Sequence, residues 1–436
     1  MRSMACTLAV LLAACDGGTT APDAGGADAG PADGGADAGP PFEPDLYCPG
    51  SPGCATGSEG TLEVGAAAVT ITPTIDETTD IQTVDVDGDG EFEPRDGDMY
   101  EDRDGQRGYQ GVWIAGFGNA RGARGVHDEQ WVRAVAMRNG ETTIVMAALD
   151  VIGWFKTEMD EVREMVADLD VDHVAFTATH CHECRDVVGL WGPTQDISGL
   201  DLEYNAFVRE RAAEAIRQAV AALRPANVQY ATLDLRDVPG GVRRYIFDIR
   251  DPIVIDPRIR VMRFLEAGSD TTIATLVNLG SHPEYLDDRN TLLSSDYPHW
   301  LRDGIENGVD GPDGARVEGL GGIAVFYQGA LGSQIGPANA EVQTWGGEAI
   351  DQRTDPMAFT AAMGSQVAYH VLGALADGGG STTDETAALG LRTRTFFVDV
   401  QNTGFHIAIS QGLFDREGEN WDPTRPIIPG RTSRTC

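Results

Sequence analysis

Residues 132–179 restrict the possible folds more than any other part of the chain, because a hairpin, a helix and an apolar strand follow one another there without a long loop. The strand-like runs 132–137 and 142–149 meet at Asn139-Gly140, a dipeptide that favours a type I′ hairpin turn. Residues 155–169 then have helical spacing, and 173–179 form a compact apolar strand that stops at a group of polar and sulfur residues. Further strands are expected at 61–72, 109–115, 228–235, 259–265, 273–279, 322–327 and 389–400. Further helices are expected at 202–223, with Pro225 as a stop signal, near 297–306, and at 358–376. Strands that alternate irregularly with helices and hairpins predict an α/β fold, a mixed sheet flanked by helices, in a single large domain over residues 61–400.

The N-terminal region obeys other rules. Met1-Arg2-Ser3-Met4 precedes an apolar run that ends at Cys15, a secretory signal too short to span a bilayer. Leu12-Ala13-Ala14-Cys15 also fits a bacterial lipobox, which makes Cys15 the expected lipidation site and the protein exported and lipid-anchored to the cell envelope. The plainer alternative is an ordinary signal peptide with an incidental cysteine. Residues 16–60 are rich in Gly, Ala, Asp and Pro, offer little to bury, and are expected to form a disordered spacer. Within it Cys48 and Cys54 flank a turn-rich Pro-Gly-Ser-Pro-Gly stretch and are expected to close a local disulfide. A net charge of −36 with no basic run sets aside nucleic acid and anionic lipid head groups as partners.

Three of the eight histidines stand where a site is expected. Thr179-His180-Cys181-His182-Glu183-Cys184 follows one apolar strand and Gly280-Ser281-His282-Pro283 another. In open α/β sheets ligands bind at the carboxyl ends of strands. Imidazoles delivered from two strand ends can reach one zinc ion, or can merely close hydrogen bonds there. Whether His180, His182 or both face such an ion depends on how the chain turns beyond the strand. A rival arrangement takes Cys181 and Cys184 with one of these histidines as a sulfur-rich structural site, and a disulfide or a free pair is the other outcome for the two thiols.

An ordered set of segments resembles the neutral, non-lysosomal ceramidases. Gly125-Val126-His127 with Trp131-Val132-Arg133-Ala134, then Leu149-Asp150, are similar to that family's first segments. Thr177-Ala178-Thr179-His180-Cys181-His182 resembles its Ala-Thr-His-Thr-His segment, and Val277-Asn278-Leu279-Gly280-Ser281-His282 its second-histidine strand. Ser294-Ser295-Asp296-Tyr297 and Ala324-Val325-Phe326-Tyr327-Gln328-Gly329 follow in the family's order. The resemblance implies that His180 and His282 bind zinc, that His182 acts beside them near the substrate, and that Arg243, or Arg244 next to it, holds the substrate or a developing oxyanion. It implies hydrolysis of a ceramide-like lipid amide to a fatty acid and a sphingoid base, with zinc lowering the pKa of a water to about 7.

The sequence also departs from the family. Cys181 replaces a Thr, and Glu183-Cys184-Arg185 replaces a small Ser-Gly-Pro stretch. The family completes its zinc site with a Glu and a Tyr further along, for which no counterpart is evident here. Residues 401–436 read as an irregular tail, and a separately encoded C-terminal part is an expected partner. Two histidines alone would hold zinc weakly, and Cys184, Glu183 and Asp296 are candidate local replacements. The competing functions are a non-catalytic surface lipoprotein with an incomplete metal site, and a zinc hydrolase of another amide or ester.

A separate acidic insert, 77–105, contains Asp85-Val86-Asp87-Gly88-Asp89-Gly90. Its carboxylates stand at positions 1, 3 and 5 of a calcium loop, Gly at 6 and Asp96 at 12, so Asp85, Asp87, Asp89 and Asp96 are candidate calcium ligands; the plainer reading is a solvated acidic turn. Gly116-Phe117-Gly118 precedes no helix and is read as a turn, and Ser333 lacks nucleophile-elbow spacing.

Overall fold

In the computed structural model the expected hairpin forms, but its turn lies one residue further on: Asn139 pairs with Thr142, so Gly140 and Glu141 are the turn residues, and of the two only Gly140 has a positive φ, +60°, which is not the type I′ geometry expected of Asn139-Gly140. The structure describes residues 46–47, 56–57, 60–105, 108–195, 197–332, 334–337, 339–391, 393–394 and 403. Cys15, the Cys48–Cys54 pair and Ser333 lie outside the described residues. Residues 54–391 make one unit; residues 1–53 and 392–436 make a second, whose described part is the antiparallel pairing of Leu46–Tyr47 with Thr393–Arg394.

A nine-stranded mixed sheet organises the larger unit. In chain order its strands are β1 (Glu63–Thr70), β2 (Trp131–Asn139), β3 (Thr142–Leu149), β4 (His173–Ala178), β5 (Arg224–Asp234), β6 (Arg258–Glu266), β7 (Thr272–Leu279), β8 (Ile323–Gln328) and β9 (Thr382–Asp384). The helices are α1 (Lys156–Met165), α2 (Leu202–Ala221), α3 (Tyr297–Asn307) and α4 (Pro356–Leu375). Spatial order is β8-β7-β6-β5-β1-β2-β3-β4, with β9 on β5. Each half runs through two antiparallel pairs and ends on a parallel one, β3 with β4 and β7 with β8, and a helix makes each parallel crossover. Among the described residues the strand pairing between the halves is limited to Arg224 opposite Val64 and Pro225 opposite Glu63.

That narrow junction lets the two halves face each other, and the side-chain alternation records the result. Val64, Val135, Met137, Ala148, Val228, Phe264, Leu276 and Val325 form one core between the halves. Their sequence neighbours on the opposite strand faces, such as Ala67, Val69, Ala134 and Ala147, pack with Val208, Ala212 and Ile216 of α2. On the far side Val261, Val277 and Phe326 pack with Leu301, Ile305, Met363 and Val367 of α3 and α4. The architecture is therefore helix, sheet, sheet, helix, and β2, β3 and β7 are buried on both faces. At Gly65 a Cβ would stand 2.2 Å from Ala219 O, so α2 sits this close to β1 only because Gly65 has no side chain.

Asp201 accepts from Glu203 N and Tyr204 N at the start of α2, and Asp355 caps α4 ahead of Pro356. Arg302 of α3 makes a buried two-fold pair with Asp150, 2.9 Å on each branch, and Arg133 of β2 pairs with Glu306. Two further expectations needed revision. Residues 109–115 form isolated bridges, Trp113 with Gly122 and Ile114 with Arg185, because glycines at 111 and 116 interrupt the run. In the 389–400 run the described strand residues are Leu389–Gly390 and Thr393–Arg394, in separate two-stranded sheets. Among the described residues no helix is long and apolar enough to cross a membrane.

Candidate metal centre

The edge strands β4 and β8 approach each other where the two halves close, and the chain leaves β4, β7 and β8 there. Gln328, the last residue of β8, ties these exits together. Its Nε2 donates to Thr179 O and to Ser281 O, both at 2.9 Å, and its Oε1 accepts from Ser281 N and Gly329 N. The loop carrying His180 and His182 is thereby fixed against the loop carrying His282.

Beyond Ala178 the strand does not continue, so the two-residue spacing of His180 and His182 does not decide which way they face. His180 adopts φ +66°, a left-handed conformation uncommon for a residue with a Cβ, and the chain turns sharply. The turn brings one ring atom of each of His180, His182 and His282 within 4.8 Å of the others. Ring centres are 4.6 Å apart for His180 and His282, 5.0 Å for His180 and His182, and 5.7 Å for His182 and His282. His182, expected beside the metal ligands, thus belongs to the same group as the other two.

The three rings are held differently. His180 Nδ1 lies 2.5 Å from Ile152 O and His282 Nδ1 3.2 Å from Gln334 O. Among the described residues neither nitrogen of His182 has a hydrogen-bond partner, although the ring is buried. Phe117 meets that ring edge-on at 4.9 Å, and Gly116, at φ +118°, lies so close that a Cβ there would stand 2.5 Å from His182 Cγ. Burial, and then the neighbouring imidazoles, hold His182 well below the usual histidine range, and burial pushes His282 down to about 4. His180 is lowered as well, mainly by burial. The rings are therefore neutral near pH 7 and carry lone pairs, the form that ligates a metal. Buried ring nitrogens without partners are costly, and a cation shared among the three rings would satisfy them, so these residues fit a bound metal.

The alternative ligands are committed elsewhere. Cys181 Sγ and Cys184 Sγ both point at Ser294 O, at 3.0 and 3.7 Å; they are free, buried thiols outside the histidine group. Glu183 bonds Arg121 at 2.9 Å and Asn290 at 2.7 Å. Asp296 accepts from Leu286 N and Tyr297 N at the start of α3. A further acid lies beside the rings. Glu284, two residues beyond His282, is buried with Oε2 3.3 Å from His182 Nδ1, and no sequence pattern marks it.

Arg243 and Arg244 lie in a short 3-10 turn after β5. Arg244 is buried and spent on Gln366 Oε1, Gln343 O and Thr344 O. Arg243 is about half exposed, stacks over Phe247 and lies 3.5 Å from Glu341. Among the described residues no hydrogen bond or ion pair joins either arginine to the histidines.

Beside His180 opens a cleft of about 340 Å³ lined by Ile152, Trp154, Phe155, Val188 and Trp191. The acidic insert folds as a hairpin, Ile81–Val84 with Met99–Glu101, and its loop meets the 116–121 segment, where Phe92 N donates to Ala120 O at 2.9 Å. It brings Asp85, Asp87 and Asp89 together, with Gly90 at φ +83° as the sixth loop position demands. Asp96 is not in that group; it sits on the return turn beside Glu93. A second acidic group joins Asp80, Asp102 and Asp104.

No family model and no curated protein sequence matches the chain. Among solved structures it is similar to a ceramidase complexed with C2, at 17% identity and TM-score 0.48, and to the neutral ceramidase from Pseudomonas aeruginosa, at 17% identity and TM-score 0.47. Each likeness covers 71% of this chain and 44% of the other, so the chain spans less than half the length of either protein.

Proposed function

We propose that the chain is a zinc-dependent amidohydrolase of neutral ceramidase type, cleaving ceramide-like lipids to a fatty acid and a sphingoid base. The observation that carries this reading is the convergence of His180, His182 and His282 at one edge, with both nitrogens of the buried His182 ring lacking a hydrogen-bond partner among the described residues. Three imidazoles that leave a position open are a common donor set for catalytic zinc. When bound, such an ion supplies Lewis-acid chemistry, polarising a carbonyl and making water nucleophilic near neutral pH.

The chain's own residues select and place the substrate. Trp154, Phe155 and Trp191 give the cleft apolar walls that suit an acyl chain and exclude water. His180 lines the cleft and belongs to the histidine group, so a chain lying in the cleft brings its amide to the three rings. Arg243, being exposed, is the arginine left to meet a substrate, whereas Arg244 is fixed in the fold. The test is hydrolysis of a fluorescent ceramide by the purified chain supplied with zinc. Release of fatty acid that stops on chelation and in His180→Ala supports the reading. Binding of the ceramide without hydrolysis by the zinc-supplied wild type favours a non-catalytic lipid binder.

Two further elements of the proposal are a calcium ion on Asp85, Asp87 and Asp89, and export with lipid anchoring at Cys15. The anchoring rests on the lipobox alone. Cys15→Ser should be exported without incorporating a labelled fatty acid, since the thiol is the acyl acceptor. Equal labelling of the variant would dismiss it.

A further inference from the structure

His180 and His282 each turn Nδ1 towards a main-chain carbonyl, which assigns the proton to Nδ1 and leaves Nε2 as the lone-pair atom. His182 has no such carbonyl. The acceptor within reach of its Nδ1 is Glu284 Oε2, at 3.3 Å but not aligned for a hydrogen bond. Backbone contacts keep the two residues together, because His182 N donates to Pro283 O at 3.1 Å. Gly116 and Phe117 confine the ring from the other side.

Glu284 itself lacks another use. It is 6% exposed, and among the described residues its Oε1 has no hydrogen-bond partner and no Lys or Arg pairs with it. An acid buried in this way is costly unless it serves a neighbouring group. Glu183 and Asp296, by contrast, are held by several donors.

We propose that Glu284 is a positioning residue that accepts a hydrogen bond from Nδ1–H of His182 and so directs that ring's Nε2 to a divalent ion shared with His180 and His282. The inference rests on the metal reading above. A small rotation of ring or carboxylate aligns the bond, and the third imidazole then has the same tautomer as the other two. A carboxylate partner also makes the imidazole a stronger donor, which the two carbonyl-bonded rings lack.

The experiment measures zinc affinity of the full chain by competition with a chromophoric chelator, and the visible spectrum of the cobalt-loaded chain. Wild type is compared with Glu284→Ala, Glu284→Gln and His180→Ala, with near-UV circular dichroism as the check on folding. Glu284→Ala should weaken zinc binding by about 10–100-fold and shift the cobalt bands. Glu284→Gln, which keeps a hydrogen-bond acceptor, should recover most of the affinity and the wild-type band positions. Glu284→Ala with wild-type affinity and spectrum, while His180→Ala loses zinc, would overturn the role of Glu284 and leave the metal centre standing. Glu284→Gln as damaging as His180→Ala would also overturn it, since that marks a direct ligand. If His180→Ala leaves zinc binding unchanged, the metal reading fails and the proposal fails with it.

Discussion

Gly116 sets the position of the His182 ring from outside the histidine motif. With its φ of +118°, and with only 2.5 Å between the place a Cβ would take and His182 Cγ, an alanine has no room unless the ring is displaced. Gly116→Ala should therefore destabilise the chain by about 1–3 kcal/mol in urea unfolding and weaken zinc binding together. A variant with unchanged midpoint and unchanged affinity would mean that the ring is not confined as described. Of the site residues, the three histidines were legible because two strand ends announced them. Their joint grouping was not, since it depends on the left-handed turn at His180. Glu284 was hidden because an acid next to a proline carries no periodic signal, and its role depends on a ring more than 100 residues earlier, as the numbering of His182 and Glu284 shows.

Among the elements, α3 is tied to the sheet by a charge pair that cannot be solvated when broken. Arg302 and Asp150 are both buried, and Asp150 also accepts from Trp131 N and Ser295 Oγ, each at 2.9 Å. Asp150→Ala leaves the guanidinium buried beside orphaned donors, and should cost about 3–5 kcal/mol. A loss below about 1 kcal/mol in chemical denaturation would contradict this role. Hairpin, helices and most strands were readable because their periods of 2 and 3.6 survive in the sequence. In the 109–115 run the consecutive apolar residues 112–115 do not reveal that the chain beside them pairs at single bridges. The folding of one sheet into two facing layers was equally illegible, since a strand buried on both faces reads the same whether helices or strands cover it.

At the scale of the molecule, the layered fold gathers the histidines at one closing edge and leaves the acidic insert as a hairpin outside the nine-stranded sheet. The carboxylates of Asp85, Asp87 and Asp89 crowd one another, and Arg124 relieves only Asp85, at 3.2 Å. Calcium should therefore raise the thermal midpoint, and Asp87→Ala with Asp89→Ala should abolish the increase. Identical melting of the wild type with calcium and with chelator would remove the calcium reading.

The central claim is that His180, His182 and His282 together hold one metal ion. The direct measurement is the zinc-to-protein ratio, by native mass spectrometry, of the full chain equilibrated with a small excess of zinc, for the wild type and for each histidine-to-alanine variant. One tightly held zinc is expected in the wild type, with its loss from all three variants, His182→Ala included. Zinc retained at the wild-type ratio by any of the three, or absent from the wild type itself, would contradict it.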